Sequence, residues 1–326
     1  MIGKKVVGVG AALVDMLLEE SDHFVTNTGE PKGGMTLSEL HHIDNLLLKT
    51  NREHKIAPGG SACNTLVGFS RLGGNGSFIG VCGSDELGHF FESKIKEAGL
   101  QSLLKRAEHP TGRVLSIITP DAQRTMFTHL GAAGNFHPHY LSPEDFKDAG
   151  IVYIEGYLLF NEPVTRKVIE FAKASGAKIA LDLASFQVVE ACRGLMSDLI
   201  RNSVDIVLAN EDEAKAFTGK KEEDSLKYFS DIVDISVVKL GARGALIKQG
   251  SNKYTIGAKE VKAIDTTGAG DLWAAGFLYG LVSGYDLHRA GLLGATVASE
   301  VVTVVGAHIS DEGWNRILKE FPKNKK

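Results

Sequence analysis

The hydrophobic pattern changes its period partway along the chain. From residue 151 onward, short β-branched runs, IVYIE (151–155), KIALDL (178–183), VDIVLAN (204–210) and ISVVKL (235–240), alternate with segments of helical spacing. In NEPVTRKVIEFAKASG, between the first two runs, Val164, Val168, Ile169 and Phe171 share one face and Gly176 marks the stop. Strand–helix–strand alternation of this kind builds parallel strands joined by right-handed crossovers. Before residue 151 the pattern differs. RVLSIITPDAQRTMFTHL (113–130) reads as two strands about a Thr-Pro-Asp turn. The stretches of about 16–55 and 110–131 predict a small β-rich lid beside the main sheet. Leu272 to Val282 is apolar or glycine all round, which predicts a buried central helix. No repeat, low-complexity tract or Pro-rich linker interrupts the chain. Residues 1–326 therefore read as one α/β domain with a mostly parallel central sheet flanked by helices.

Composition narrows the function classes. The 326 residues are 43% hydrophobic and 23% charged, ample for a large core. Basic and acidic residues number 36 and 40, a net charge of −4 that gives no bulk attraction for nucleic acid or an anionic membrane. Cys63, Cys82 and Cys192 are widely spaced with no CxxC pair, against a disulfide framework or zinc site and in keeping with a reducing compartment. No uncharged apolar run reaches the ~18 residues of a membrane span. The glycines and Asp15 of MIGKKVVGVGAALVDML fit a first strand better than a leader peptide. The expected location is the cytoplasm.

Ligands of open α/β sheets sit outside the carboxyl ends of the strands. The residues there are Glu155, Asp182, Asn210 and the Leu240-Gly241 turn. Asp182 reads as a helix cap, and Asn210 as both a cap and a site residue, since EDEAKAF follows it at helical spacing. The stretch DTTGAGDLWAAGFLYGL (265–281) carries the sharpest chemistry. Gly268, Ala269 and Gly270 leave their N–H groups clear at a helix N-terminus, an anion pocket carrying about half a positive charge. Asp271 in the first turn is placed to take a proton from an attacking hydroxyl, and the helix field predicts a lowered pKa for it.

Four motifs then occur in one order along nearly the whole chain. They are PGGSACNTLVGFSRLGGNGSFIGVCGSDELG (58–88), Asn210-Glu211-Asp212-Glu213, Gly241-Ala242-Arg243-Gly244 and DTTGAGD (265–271). Together they resemble the phosphofructokinase-B (PfkB), or ribokinase, family of sugar and nucleoside kinases. The resemblance implies a ribokinase-like fold and ATP-dependent phosphorylation of a sugar or nucleoside hydroxyl, with ATP and Mg2+ as cofactors. It implies Asp271 as catalytic base and Gly268 to Gly270 as anion hole. Asp15, at the end of the first strand, matches the acid that binds acceptor hydroxyls, and Gly59, Gly60 and Asn64 match the sugar-binding loop. Glu213 corresponds to the residue that orders magnesium through water, Asn210 lies near the phosphates, and Gly241 and Gly244 form the turn against the nucleotide. Glu155 is a further acceptor contact, and Arg124 is placed to reach the phosphates from the lid. Lid strands in this family can pair between subunits, which allows a homodimer.

Two departures stand out. Lys239 occupies a position where many members have Thr, and reads either as a phosphate partner or as a strand cap. Leu272-Trp273 follows Asp271 in place of the frequent Ala-Phe. KGGMTL (32–37), TPDAQRTMFTHLGAA (119–133) and YIEGYLL (153–159) look most like the adenosine-kinase-like branch. Met35, Phe127, Tyr157 and Phe160 are candidates to line a base slot. Adenosine is thus slightly favoured over free sugars such as ribose, fructose or 2-keto-3-deoxygluconate, with a catalytically silent sensor as the alternative from another class. Gly8-Val9-Gly10 lacks the third glycine of a dinucleotide fingerprint, and Gly219-Lys220 is followed by Lys221, so no Walker motif forms. His137-Pro138-His139 lacks further metal ligands at sensible spacing.

Overall fold

A computed structural model describes residues 3–121 and 123–322. Nine strands form the main sheet, in the order Asn252–Ile256, Ala245–Gln249, Ile235–Lys239, Ile206–Asn210, Lys178–Asp182, Ala149–Glu155, Lys5–Val9, Gly76–Ile79 and Gln101–Ser102. All neighbours pair in parallel except Ala245–Gln249, which runs antiparallel to both of its partners. The β-branched runs become strands because both sheet faces are covered: Ala149–Glu155 is buried along its whole length. Alternate side chains feed two cores. Val6, Ile151, Tyr153 and Ala180 pack with the helices Ser61–Arg71, Ala269–Val282 and Leu287–Val301. Val7, Val152, Ile154 and Leu181 pack on the other face with Val164, Val168 and Ile169 of the helix Glu162–Ala174.

Helix Ala269–Val282 is buried from Leu272 to Val282, as its all-round apolar sequence predicts. It lies against Leu287–Val301 so closely that a Cβ at Gly276 would stand 2.8 Å from the Gly294 backbone. Among the described residues, no helix is long and apolar enough to cross a membrane. The three cysteines are free thiols.

A second, five-stranded sheet has the order Met35–Leu37, Arg124–His129, Gly112–Ile118, Leu13–Glu19 and Lys55–Gly59. Gly112–Ile118 and Arg124–His129 pair antiparallel, in register Ile118 to Arg124. The helix Leu40–Lys49 supplies Ile43 and Leu46 to this sheet's own small core, with Met16, Leu18, Leu115, Ile117 and Phe127.

Asp15 is not at the end of the first strand. The first strand stops at Val9, the chain turns through Gly10 to Ala12, and Asp15 sits inside Leu13–Glu19 of the small sheet. The apolar run GAALV hides this break. Its cause is tertiary, because Gly10 and Ala11 press on Glu155 where the chain crosses between sheets.

Candidate active site

The strand order reverses between Lys5–Val9 and Ala149–Glu155: the chain continues to one side through Gly76–Ile79 and to the other through Lys178–Asp182. Such a switch point opens a crevice at the carboxyl ends of the strands, and the candidate residues gather there. Glu155 is 2% exposed. Its Oε1 accepts the Ala11 N–H and its Oε2 the Ala62 N–H, each at 2.8 Å. Burial pushes its carboxyl up to about 7, against those two bonds. Each oxygen thus carries one hydrogen bond from the chain itself. Glu155 ties the turn leading to Asp15 to the start of the helix Ser61–Arg71.

That helix begins directly after Gly59-Gly60, and its first turn faces Asp271. Asp271 Oδ1 accepts from Ser61 Oγ at 2.7 Å, Oδ2 accepts from Asn64 Nδ2 at 3.0 Å, and Thr65 Oγ1 donates to the Asp271 carbonyl at 3.1 Å. Burial raises the Asp271 carboxyl above its ordinary value, although Asn64 and Ser61 pull it down. This corrects the lowered value expected from the helix field. The carboxyl is enclosed by the facing helix, and the loss of water outweighs the helix terminus. The result is a stronger base.

Gly268 caps the helix Ala269–Val282 at φ 71, in the left-handed region that favours glycine. The N–H groups of Gly270 and Asp271, at the helix's free end, have no protein acceptor among the described residues. On the far wall, Asp15 faces this loop from the small sheet. Burial pushes its carboxyl up to about 6, opposed by the charge of Arg124 and reinforced by that of Asp271. Gly59 is required beside it, since a Cβ there would lie 2.4 Å from the Asp15 carboxyl. Arg124, two strands away in the small sheet, donates to Thr267 Oγ1 of the DTTGAGD loop. Thr267 is fixed by Asp265, which accepts from its N–H at 2.9 Å and its hydroxyl at 2.6 Å.

Asp182 does not cap the following helix, whose cap is Ser185, with its side chain accepting from the Val188 N–H. Its Oδ2 instead accepts from Lys239 Nζ at 2.8 Å. Asn210 does cap Glu211–Thr218, in a reciprocal box with Glu213. Glu213 takes the Asn210 N–H at 2.8 Å and Nδ2 at 2.6 Å, and burial pushes its carboxyl up to about 7. Gly244, at φ 93, is pressed against the Ile256 backbone, whereas Gly241 borders open space.

Of the proposed base slot, Met35, Tyr157 and Phe160 are exposed. Phe127 is not available, being fully buried in the small sheet's core. His137 and His139 stack on each other with ring centroids 5.5 Å apart. Among the described residues, no group of three or more His, Cys, Asp or Glu is poised to hold a metal ion. Sequence reasoning missed Ser61 and Thr65, although a serine directly after Gly-Gly at a helix start was a usable signal. It also missed His308, whose Nε2 donates to the Pro58 carbonyl at 3.1 Å and steadies the Gly59-Gly60 segment.

Comparisons with known proteins bear on the family and the fold. Residues 38–313 match the pfkB family of carbohydrate kinases. The chain is 28% identical to a 5-dehydro-2-deoxygluconokinase of Shouchella clausii, over 78% of this chain and 82% of that one. Among solved structures it resembles a probable sugar kinase from Rhizobium etli, with 31% identity, TM-score 0.90, and 98% and 99% of the two chains covered. It is equally similar to the adenosine kinase from Sinorhizobium meliloti, with 30% identity, TM-score 0.90 and the same coverage. The chain belongs to the pfkB family of carbohydrate kinases, ATP-dependent phosphotransferases that act on sugar or nucleoside hydroxyls.

Proposed function

We propose that this chain transfers the γ-phosphoryl group of ATP to a primary hydroxyl of a ribonucleoside, with adenosine slightly favoured over free sugars. The observation that carries the reading is Asp271, oriented by Ser61 and Asn64 beside unpaired N–H groups at the end of a buried helix.

Asp15 receives two adjacent hydroxyls of the acceptor, one on each carboxylate oxygen, and Gly59 and Gly60 let the ring approach the backbone. Asp271 takes the proton of the primary hydroxyl as its oxygen bonds to phosphorus and the bond to the β-phosphate oxygen breaks, releasing ADP. The N–H groups of Gly270 and Asp271 meet the charge on the transferring group. The small sheet acts as a lid, and Arg124 latches it to Thr267, excluding water that would otherwise compete as acceptor.

The residues fit a magnesium ion that arrives on the nucleotide. Magnesium keeps several waters and takes oxygen ligands, so it needs no three-ligand protein cage. Glu213 would hold it through water, with Asn210 near the phosphates, and it would supply charge neutralisation of the phosphates. Gly241 and Gly244 shape the turn against the nucleotide.

Tyr157 and Phe160, exposed beyond the end of strand Ala149–Glu155, support a flat base on the acceptor. The similarity to a 5-dehydro-2-deoxygluconokinase supports a free-sugar acceptor as the second reading. ADP release from Mg-ATP against adenosine, inosine, guanosine, ribose, fructose and 2-keto-3-deoxygluconate separates the two. Saturable turnover with a nucleoside is expected. Turnover with free sugars alone would return Tyr157 and Phe160 to packing, and none with any acceptor would favour a silent sensor.

A further inference from the structure

Lys239 and Asp182 end two strands of the main sheet that are separated by Ile206–Asn210. Their side chains meet beyond that strand, with Nζ and Oδ2 2.8 Å apart and only 12% and 5% of the side chains exposed. A buried ion pair is a poor brace, because the cost of desolvating two charges roughly cancels their attraction. Two further observations point away from bracing and toward the phosphate site. Lys239 Nζ stands 3.2 Å from where a Cβ of Gly270 would lie, so the ammonium abuts the first turn of the buried helix. The Asp182 carboxylate is aimed by a strained turn. Ala184 has φ 67, a left-handed conformation rare for a residue with a side chain, and donates its N–H to Asp182 Oδ1 at 3.0 Å.

An ammonium has three donors, and Asp182 takes the one protein hydrogen bond that the Lys239 ammonium makes among the described residues. Burial works to discharge Lys239, but Asp182 and Glu213 more than offset it, so the group stays cationic. A fixed positive charge with spare donors thus lies against N–H groups that also lack acceptors. The arrangement is already paid for before any ligand enters.

We propose that Lys239 and Asp182 form a phosphate-positioning pair, in which Lys239 contacts a phosphate oxygen beside Gly270 and Asp182 holds the ammonium there. The inference rests on the kinase reading above. It assigns Asp182, which is 57 residues distant in sequence, a role through Lys239 rather than through the ligand.

The two charges act on an incoming anion with opposite signs, and a brace would not. Lys239→Met removes attraction, and Asp182→Asn removes repulsion while leaving the ammonium charged. ATP is titrated into the full chain without divalent cation, by calorimetry, alongside thermal melting to establish folding. Lys239→Met is expected to weaken binding at least about tenfold, the loss of one charged hydrogen bond. Lys239→Arg retains most of the binding. Asp182→Asn tightens binding a fewfold, yet lowers kcat with Mg-ATP because the ammonium is no longer aimed. A shift in the same direction for both variants, or no shift in either, overturns the inference. If Lys239→Met does not fold, Asp182→Asn decides alone: weaker ATP binding refutes the pair. A wild-type chain that binds neither ATP nor Mg-ATP would instead refute the kinase reading on which the pair depends.

Discussion

Two regions of the molecule bring carboxylates to the same crevice and treat them in opposite ways. Around the main sheet and the buried helix, every such group is held. Asp271 is bonded by Ser61 and Asn64, Glu155 by two N–H groups, Glu213 by Asn210, and Asp182 by Lys239. On the small sheet, Asp15 has no described donor within hydrogen-bonding distance, and only the charge of Arg124 opposes the cost of its burial. Asp15 is half-buried, so its oxygens remain open to the crevice. The contrast teaches a division of labour. Held carboxylates fix geometry, and the open one is the group to which the proposed function assigns the acceptor hydroxyls. Asp271 belongs to the held group and is still able to take a proton, as the proposed mechanism requires, because each of its oxygens keeps a lone pair after one hydrogen bond.

Substitutions can break this comparison at several depths. The largest effect is expected from Asp271→Asn, which should lower kcat by about 10³-fold, within the range for loss of a general base. Steady-state turnover checks it, and a near-normal kcat would assign the base elsewhere.

Next is the pH dependence of stability. Glu155 has its carboxyl raised from 4.5 to about 7 by burial, so between those values the folded chain keeps a proton that the unfolded chain releases. Its contribution is fully present below about pH 4.5 and is lost as pH rises toward 7, on the order of 3 kcal/mol. Asp15 and Glu213 act with the same sign. Urea midpoints of Glu155→Gln should fall less steeply than wild type across that window. An identical slope would show that Glu155 titrates normally.

A smaller effect is expected from Ser61→Ala. Ser61 lowers the Asp271 carboxyl, so removing it raises that pKa and moves the acidic limb of kcat/KM to higher pH. The rate near neutrality should drop several-fold, equivalent to about 1 kcal/mol for one hydrogen bond. A limb that stays in place, or moves to lower pH, would separate Ser61 from the base. The smallest effect is expected from Phe160→Ala, a few-fold rise in KM for a nucleoside acceptor with none for a free sugar. Equal changes for both would remove Phe160 from the base slot.

The parallel half of the main sheet was legible because its strands are buried on both faces and their helices carry a single apolar stripe. Val164, Val168 and Ile169 all reach the core as that stripe predicts. The small sheet was legible in composition but not in order. Met35–Leu37 pairs with Arg124–His129, and Leu13–Glu19 with Gly112–Ile118, across separations that leave no local mark. The GAGD loop was visible because a helix N-terminus needs its small residues in one stretch. The Asp182–Lys239 pair and the two N–H bonds of Glu155 were not visible, since each joins segments far apart in sequence. The basicity of Asp271 was misjudged for the same reason, because it is burial against the helix Ser61–Arg71, distant in sequence, that raises its carboxyl.

The measurement that tests the division of labour most directly is calorimetric titration of the acceptor into the wild type, Asp15→Asn and Asp271→Asn, without nucleotide. Asp271→Asn should bind the acceptor about as tightly as wild type. Asp15→Asn should bind it at least about tenfold more weakly, the loss of charge-assisted hydrogen bonds. Full affinity in Asp15→Asn, with weakened binding in Asp271→Asn, would contradict the account.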